Sequence, residues 1–155
     1  MTIYIQKELF DLDELTTNLK KGDVSIGAIV SFVGYVREYN DASCTNKLIE
    51  MNLEYYPGMT EKALSKIESS AKKRWALQGV CIVHRIGKLF PSEPIVAVIV
   101  ASQHRKNAFQ ACEYIMDFLK TEAPFWKKEI SYEGELWVQD KDEDHKRKSS
   151  WILER

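Results

Sequence analysis

Residues 94–101 read PIVAVIVA. A strand this rich in Val, Ile and Ala has no polar face to offer water. It therefore belongs in the middle of a sheet that other elements cover. Immediately after it, Ala108, Ala111, Cys112, Ile115, Phe118 and Leu119 recur at helical spacing. They predict an amphipathic helix over 104–120 with one apolar stripe. A central strand feeding such a helix commits the chain to a layered fold of helices on a sheet.

The remaining pattern fills in around this pair. Ile3 and Ile5 alternate with polar neighbours and predict a short first strand. Asp11, with Glu14 three residues on, has the form of a capping box, and Leu12, Leu15 and Leu19 carry a helix to Lys21 before Gly22 ends it. Residues 25–37, SIGAIVSFVGYVR, read as a strand apolar on both faces and hence central, with Gly27 and Gly34 inviting a bulge or a close backbone approach. A polar loop follows over 38–47. Residues 48–56 alternate as a half-buried strand, and Pro57-Gly58 breaks it. Ala63, Leu64, Ile67, Ala71 and Trp75 mark a second amphipathic helix, closed by Lys72, Lys73 and Arg74 where cations suit the helix dipole. Residues 79–86 form another strand, joined to 94–101 by a loop with Gly and Pro. Pro124 stops the long helix near Ala123, and 127–139 fit a terminal hairpin turning near Gly134. Strands and helices interleave irregularly, so the class is α+β, with residues 1–140 as one domain. Residues 141–155 form a charged tail around an apolar plug of Trp151, Ile152 and Leu153, expected either to be disordered or to dock on another chain.

Composition narrows the function classes. Hydrophobic residues make up 45% of the chain, enough to build a core in 155 residues. The formal net charge of −1 disfavours nucleic-acid binding by bulk charge. Three cysteines, Cys44, Cys81 and Cys112, without any CxxC spacing, argue against a disulfide framework or a zinc site. Cys81 and Cys112 read as small buried hydrophobes, and Cys44 as a loop residue. The first residues carry no signal-peptide pattern and no apolar run approaches a membrane span, so a cytoplasmic protein is expected.

Three segments could carry chemistry. Ser102-Gln103-His104-Arg105 opens the long helix, where free N–H groups, the helix dipole and the cations suit an anion; a purely structural histidine there fits as well. Lys120 and Lys127-Lys128 flank the rigid aromatic turn Ala123-Pro124-Phe125-Trp126. Aromatic walls can stack a flat heterocycle and desolvate an ammonium, activating it for acid–base or nucleophilic work. Solvated charges at a helix end and a strand end explain the same lysines equally well. Gly34-Tyr35-Val36-Arg37 ends a strand predicted to be central, where a polar residue could border a site, although a lone Arg at a strand end is more often a surface residue. His84-Arg85, inside a strand pattern, reads as structural, His145 as solvated, and Glu50 with Glu54 as a solvated strand face.

Taken together, GAIVSFVGYVRE, LEYYPGM, VHRIGKL, the run from ASQHRKNAF to MDFLKTEAPFWKKE, and GELWV resemble the large subunits of molybdopterin synthases over roughly residues 1–140. The run MDFLKTEAPFWKKE is the most specific part. The resemblance implies an α/β-hammerhead-like fold with an added antiparallel β subdomain. It also implies a reaction: transfer of two sulfurs to cyclic pyranopterin monophosphate, giving the dithiolene molybdopterin, with no metal or organic cofactor. The sulfur would arrive as the C-terminal thiocarboxylate of a small ubiquitin-like subunit, in a heterotetramer built on a homodimer of large subunits. By matching motif, Lys120 and Lys127 are the implied catalytic residues. Tyr35, Val36, Arg37, His104, Arg105, Lys128 and Glu129 are the implied substrate-binding residues.

One expectation is geometric. His104 and Lys120 lie at opposite ends of one predicted helix, roughly 24 Å apart at 1.5 Å per residue. A small pterin cannot span that, so a site using both is expected to be shared between two copies of the chain. The competing functional readings are a non-catalytic module that docks a ubiquitin-like partner and, less in keeping with the charge, a nucleotide- or RNA-binding domain.

Overall fold

The computed structural model describes residues 3–38, 47–132, 134–138 and 142–153. Cys44 and most of the polar 38–47 loop lie outside them. The chain runs β1 (Ile3–Gln6), α1 (Leu12–Lys20), β2 (Ala28–Tyr35), β3 (Leu48–Tyr55), α2 (Met59–Arg74), β4 (Gly79–Arg85), β5 (Gly87–Leu89), β6 (Pro94–Ser102), α3 (Arg105–Glu122), β7 (Phe125–Ser131), β8 (Gly134–Val138) and α4 (Asp142–Leu153). These form two four-stranded sheets, ordered β1-β4-β6-β2 and β5-β3-β7-β8. The first is mixed, with β1 parallel to β4 and the other pairs antiparallel. The second is antiparallel throughout and is the added subdomain.

The apolar run of β6 is accounted for by helices on both faces of the first sheet. Val96, Val98 and Val100 pack with Val80 and Ile82 against Leu64 and Ile67 of α2 and Ala111 and Ile115 of α3. Ala97 and Ile99 face the other way, with Cys81 and Val83, toward Leu12, Leu15 and Leu19 of α1. The α1 N-terminus is capped as its sequence predicts: the Asp11 carboxylate accepts from the backbone N–H of Asp13 and Glu14.

Two expectations change. β2, apolar on both faces, is an edge strand with Phe32 exposed, and not a central one. Apolar faces report what covers a sheet from above and below. They carry no information about the lateral neighbour, which is chosen by backbone hydrogen bonding. The predicted close approach in this strand does occur. A side chain on Gly27 would collide with the Gln103 carbonyl, and Gly34 sits at a register shift against β6. The loop expected between β4 and β6 contains a further short strand, β5, which crosses to pair with β3.

The charged tail also differs from expectation. Over Asp142–Leu153 it is helical and lies on α3 of its own chain. Trp151 is buried, and its indole N–H donates to Asp117 Oδ2 at 2.7 Å. Arg147 Nε donates to the other oxygen of the same carboxylate at 2.9 Å. The tryptophan of the apolar plug thus finds its site at home. Its surroundings are Trp75, Tyr114 and the guanidinium of Arg74, whose Cζ lies 5.3 Å from the Trp151 ring centroid.

Candidate active site

The sheets meet at a cavity of about 550 Å³, closed by the C-terminal turn of α3 and by α4. Strand alternation decides which side chains enter it. On β7, Phe125, Lys127 and Glu129 share the inner face and all line the cavity. Their partners across the sheet do too: Leu53 and Val138 stand opposite Lys127, and Met51 stands opposite Glu129. Trp126 and Lys128 occupy the outer face. Lys128 Nζ is 2.8 Å from Glu135 Oε2 and lies over the Trp137 ring at 5.6 Å.

The second lysine arrives from a different element. Lys120 sits in the last turn of α3, which ends at Ala123 in extended backbone just before Pro124. The buried hydroxyl of Thr60 donates to the Pro124 carbonyl at 2.9 Å and pins the turn to the start of α2. The chain therefore leaves α3 and enters β7 at a set angle, which brings Lys120 and Lys127 to one cavity.

The opposite wall comes from the first sheet. His84 of β4, Val96 of β6 and Gly34 of β2 lie opposite one another across three neighbouring strands, and all three line the cavity. A side chain on Gly34 would collide with Val96 Cγ1, so the glycine lets this wall pack closely. The register shift at Tyr35 turns that side chain toward the cavity as well, and Arg37 follows it. Val36, between them, is buried beside Leu48, Leu53 and Leu89. Its N–H and carbonyl bond Glu93 and Ser92, so it anchors the segment that carries Tyr35 and Arg37.

His84 is the residue that sequence reasoning passed over. Arg85 does have the structural role assigned to the pair: its guanidinium donates to the Lys7 and Pro94 carbonyls. His84 points the other way, into the cavity wall, where its ring stacks on Phe125 at 3.9 Å and 17°. Its Nδ1 lies 2.8 Å from the Arg85 carbonyl oxygen. A carbonyl only accepts, so Nδ1 bears the proton of the neutral ring and Nε2 is bare. Burial pushes the His84 pKa down to about 4. The Arg85 carbonyl opposes this, and the charges of Lys127 and Lys120 reinforce it. A single His in a strand pattern gives no sign of such a place, because the sign is the approach of Phe125 from another sheet.

A stability prediction follows. An unfolded imidazole titrates near 6.5 and the folded one near 4, so between these values the unfolded chain binds more protons. Stability from this group is then complete above about pH 6.5 and falls as the pH drops toward 4, by about 3 kcal/mol in all. His84→Phe should remove this component. Urea midpoints at pH 7 and pH 4.5 should show the wild type losing about 2.5 kcal/mol more than the variant on acidification. Equal losses would contradict a neutral, buried His84.

The remaining site candidates are placed elsewhere. His104 is the N-cap of α3 and Arg105 its first residue, both exposed, at the end of the helix remote from Lys120. Glu143, Asp144 and Arg147 of α4 reach the cavity from the segment expected either to be disordered or to dock on another chain. The cavity is thus lined by Lys120, Lys127, Arg37 and a flat aromatic–imidazole stack, with Glu129 on the β7 wall and Glu143, Asp144 and Arg147 at the α4 side. The stack offers a flat face, and Arg37, Lys120 and Lys127 offer charge for an anionic group on a ligand there.

The MoaE protein family model matches residues 5–122. The molybdopterin synthase catalytic subunit of Pseudomonas aeruginosa is 50% identical over 151 residues, covering 97% of this chain and 99% of that protein. Among solved structures, the molybdopterin biosynthesis MoaE protein of Burkholderia ambifaria superposes with a TM-score of 0.82 at 46% identity, covering 97% of each chain. A chain of the complex of subunits 1 and 2 of the molybdopterin-converting factor of Helicobacter pylori shares the fold at a TM-score of 0.73. It is 19% identical, with coverage of 91% and 92%. With its fold and nearly its whole length matched in this way, the chain belongs to the MoaE family.

Proposed function

We propose that the chain is the catalytic subunit of a molybdopterin synthase, moving two sulfurs, one from each of two C-terminal thiocarboxylates of its small partner, onto cyclic pyranopterin monophosphate. The observation that carries this reading is the convergence of Lys120 and Lys127, from separate elements, on one cavity walled by the His84–Phe125 stack. A thiocarboxylate carbonyl must be polarised and an oxyanion stabilised during transfer, and an ammonium in a partly dry site does both. Lys120, at the cavity rim, is assigned to the thiocarboxylate, and Lys127, deeper in the wall, to the pterin. Arg37 suits the cyclic phosphate, and Tyr35 and Glu129 the edges of the heterocycle. Lys128 and Val36 support this arrangement from behind, through the outer sheet face and the buried core.

The partner in this reading is a small ubiquitin-like protein whose tail enters the cavity. The complex from Helicobacter pylori, which holds two different subunits, supports such a partner. The reading places this biosynthetic step in the cytoplasm. Among the described residues no helix is long and apolar enough to cross a membrane. The test is conversion of the pterin precursor by the purified chain with a thiocarboxylated small partner. Dithiolene product is expected; its absence with a competent partner would rule the reading out.

His104 and Arg105 enter the proposal through a second copy of the chain. Their distance from Lys120 excludes one pterin touching all three within one chain. The β2 edge offers a face for self-association: Phe32 and Phe109 are exposed beside an apolar groove between β2 and α3. In a two-fold dimer, mixing Arg105→Ala chains with Lys120→Ala chains puts one intact site in each mixed dimer. Random exchange should then restore about a quarter of the wild-type rate. No recovery after verified exchange would show that the sites are not shared.

A further inference from the structure

We infer that His84 is a positioning residue for Lys127: its fixed imidazole offers the bare Nε2 to the Lys127 ammonium, aiming that side chain and keeping it charged. The role of Lys127 in sulfur transfer rests on the reading above; the contact itself does not.

Three features of the wall lead to this. The ring has one available tautomer, because its Nδ1–H is held by the Arg85 carbonyl at 2.8 Å. Its plane is set by the stack on Phe125, and Phe125 stands two residues before Lys127 on the same face of β7. Two residues along a strand is about 6.7 Å, close to the reach of an extended lysine, so the Lys127 amine can come to the edge of the ring that Phe125 covers. Both side chains line the one cavity.

The electrostatics agree with this placement. Of the two lysine charges that disfavour protonated His84, that of Lys127 is the larger. A neutral imidazole adds no third cation to the lysine pair, and its lone pair is an acceptor that suits an ammonium. Packing alone would be served by phenylalanine, and the bond to the Arg85 carbonyl by asparagine. Neither supplies the acceptor that Nε2 adds to a wall shared with Lys127 and Lys120. Among the described residues, the other titratable groups on the cavity are Lys120 from α3, Tyr35 at the end of β2 and Arg37 just after it, Glu129 from β7, and Glu143, Asp144 and Arg147 from α4. All are unchanged by a substitution at position 84, so a difference between variants is assigned to His84.

The test uses three substitutions in the full chain with its small partner. His84→Phe keeps the stack. His84→Asn keeps a donor where Nδ1 is. His84→Gln places an acceptor near the position of Nε2. The first readout is the pH midpoint of Lys127 acylation by a small amine reagent, followed by mass spectrometry, which needs no turnover. Phe and Asn should lower that midpoint by about one pH unit, and Gln should restore most of it. The second readout is turnover. Phe and Asn should lower kcat by about 10-fold to 100-fold with KM little changed, and Gln should recover part of the loss. Thermal melts identify the folded variants, and if Phe does not fold, the Asn–Gln comparison decides. Labelling curves that superimpose on wild type in a folded Phe or Asn variant, or Gln no better than Asn, overturn the proposal. If no variant and no wild type transfers sulfur, the synthase reading fails while the labelling result still stands or falls by itself.

Discussion

Replacing Lys127 with alanine is expected to lower the sulfur-transfer rate by about 10²–10³-fold, while the same change at Lys128 alters it by about twofold or less. The two residues are neighbours in the chain and identical in chemistry, so their difference isolates geometry. Lys127 faces the cavity with Phe125 and Glu129. Lys128 faces outward, engaged by Glu135 and Trp137, where half-exposed ion pairs contribute little. An ammonium aimed at developing negative charge in a partly dry pocket is worth several kcal/mol to the transition state, and removing it costs the rate accordingly. Initial rates of dithiolene formation at saturating partner check this. Equal losses at both positions would mean that the β7 face does not separate them, and the assignment of the inner face as catalytic would have to be abandoned.

Trp151→Ala should destabilise the chain by about 3–5 kcal/mol, the range for truncating a buried aromatic. The indole contributes more than area. It packs edge-on against Trp75 and Tyr114 at 5.7 and 5.5 Å, and it supplies one of the two donors to the buried Asp117 carboxylate. Without it, Arg147 is the remaining side-chain donor to that carboxylate among the described residues. The loss is capped by the free energy that docks α4, because beyond that point the helix simply leaves. Urea denaturation gives the total, and the fluorescence of Trp75, which shares the cluster, reports undocking. A loss below about 1 kcal/mol would place α4 outside the cooperative core.

Much of this architecture was legible in the chain because it is written locally. The alternation of residues 48–56, the apolar run 94–101 and the helical stripe of 104–120 each appear as β3, β6 and α3, since side-chain period follows backbone geometry. Asp11 caps α1, and Pro124 stops α3, for equally local reasons. β5 was missed because three residues between two strands carry no period. It exists because Gly87, Lys88 and Leu89 meet β3 far away in sequence.

The candidate site divides along the same line. The extended motif around Lys120 and Lys127 was visible in the sequence, and it carried the family resemblance. Composition could not say whether those lysines were solvated, since burial is a property of what arrives from elsewhere. The wall that faces them comes from β4 and from α4, and neither the isolated His84 nor the charged stretch 142–153 announces that destination.

The chain by itself therefore determined α1, α2 and α3 and most of its strands, the lysine-bearing aromatic turn, and the family to which these belong. All of these depend on spacing and chemistry within a few tens of residues. Only the tertiary structure decided that β2 lies at an edge, that the tail closes on its own core through Trp151, and that His84 and Lys127 line one cavity from two different sheets. Those outcomes depend on backbone pairing and on complementarity between distant segments, and a side-chain pattern does not encode either one.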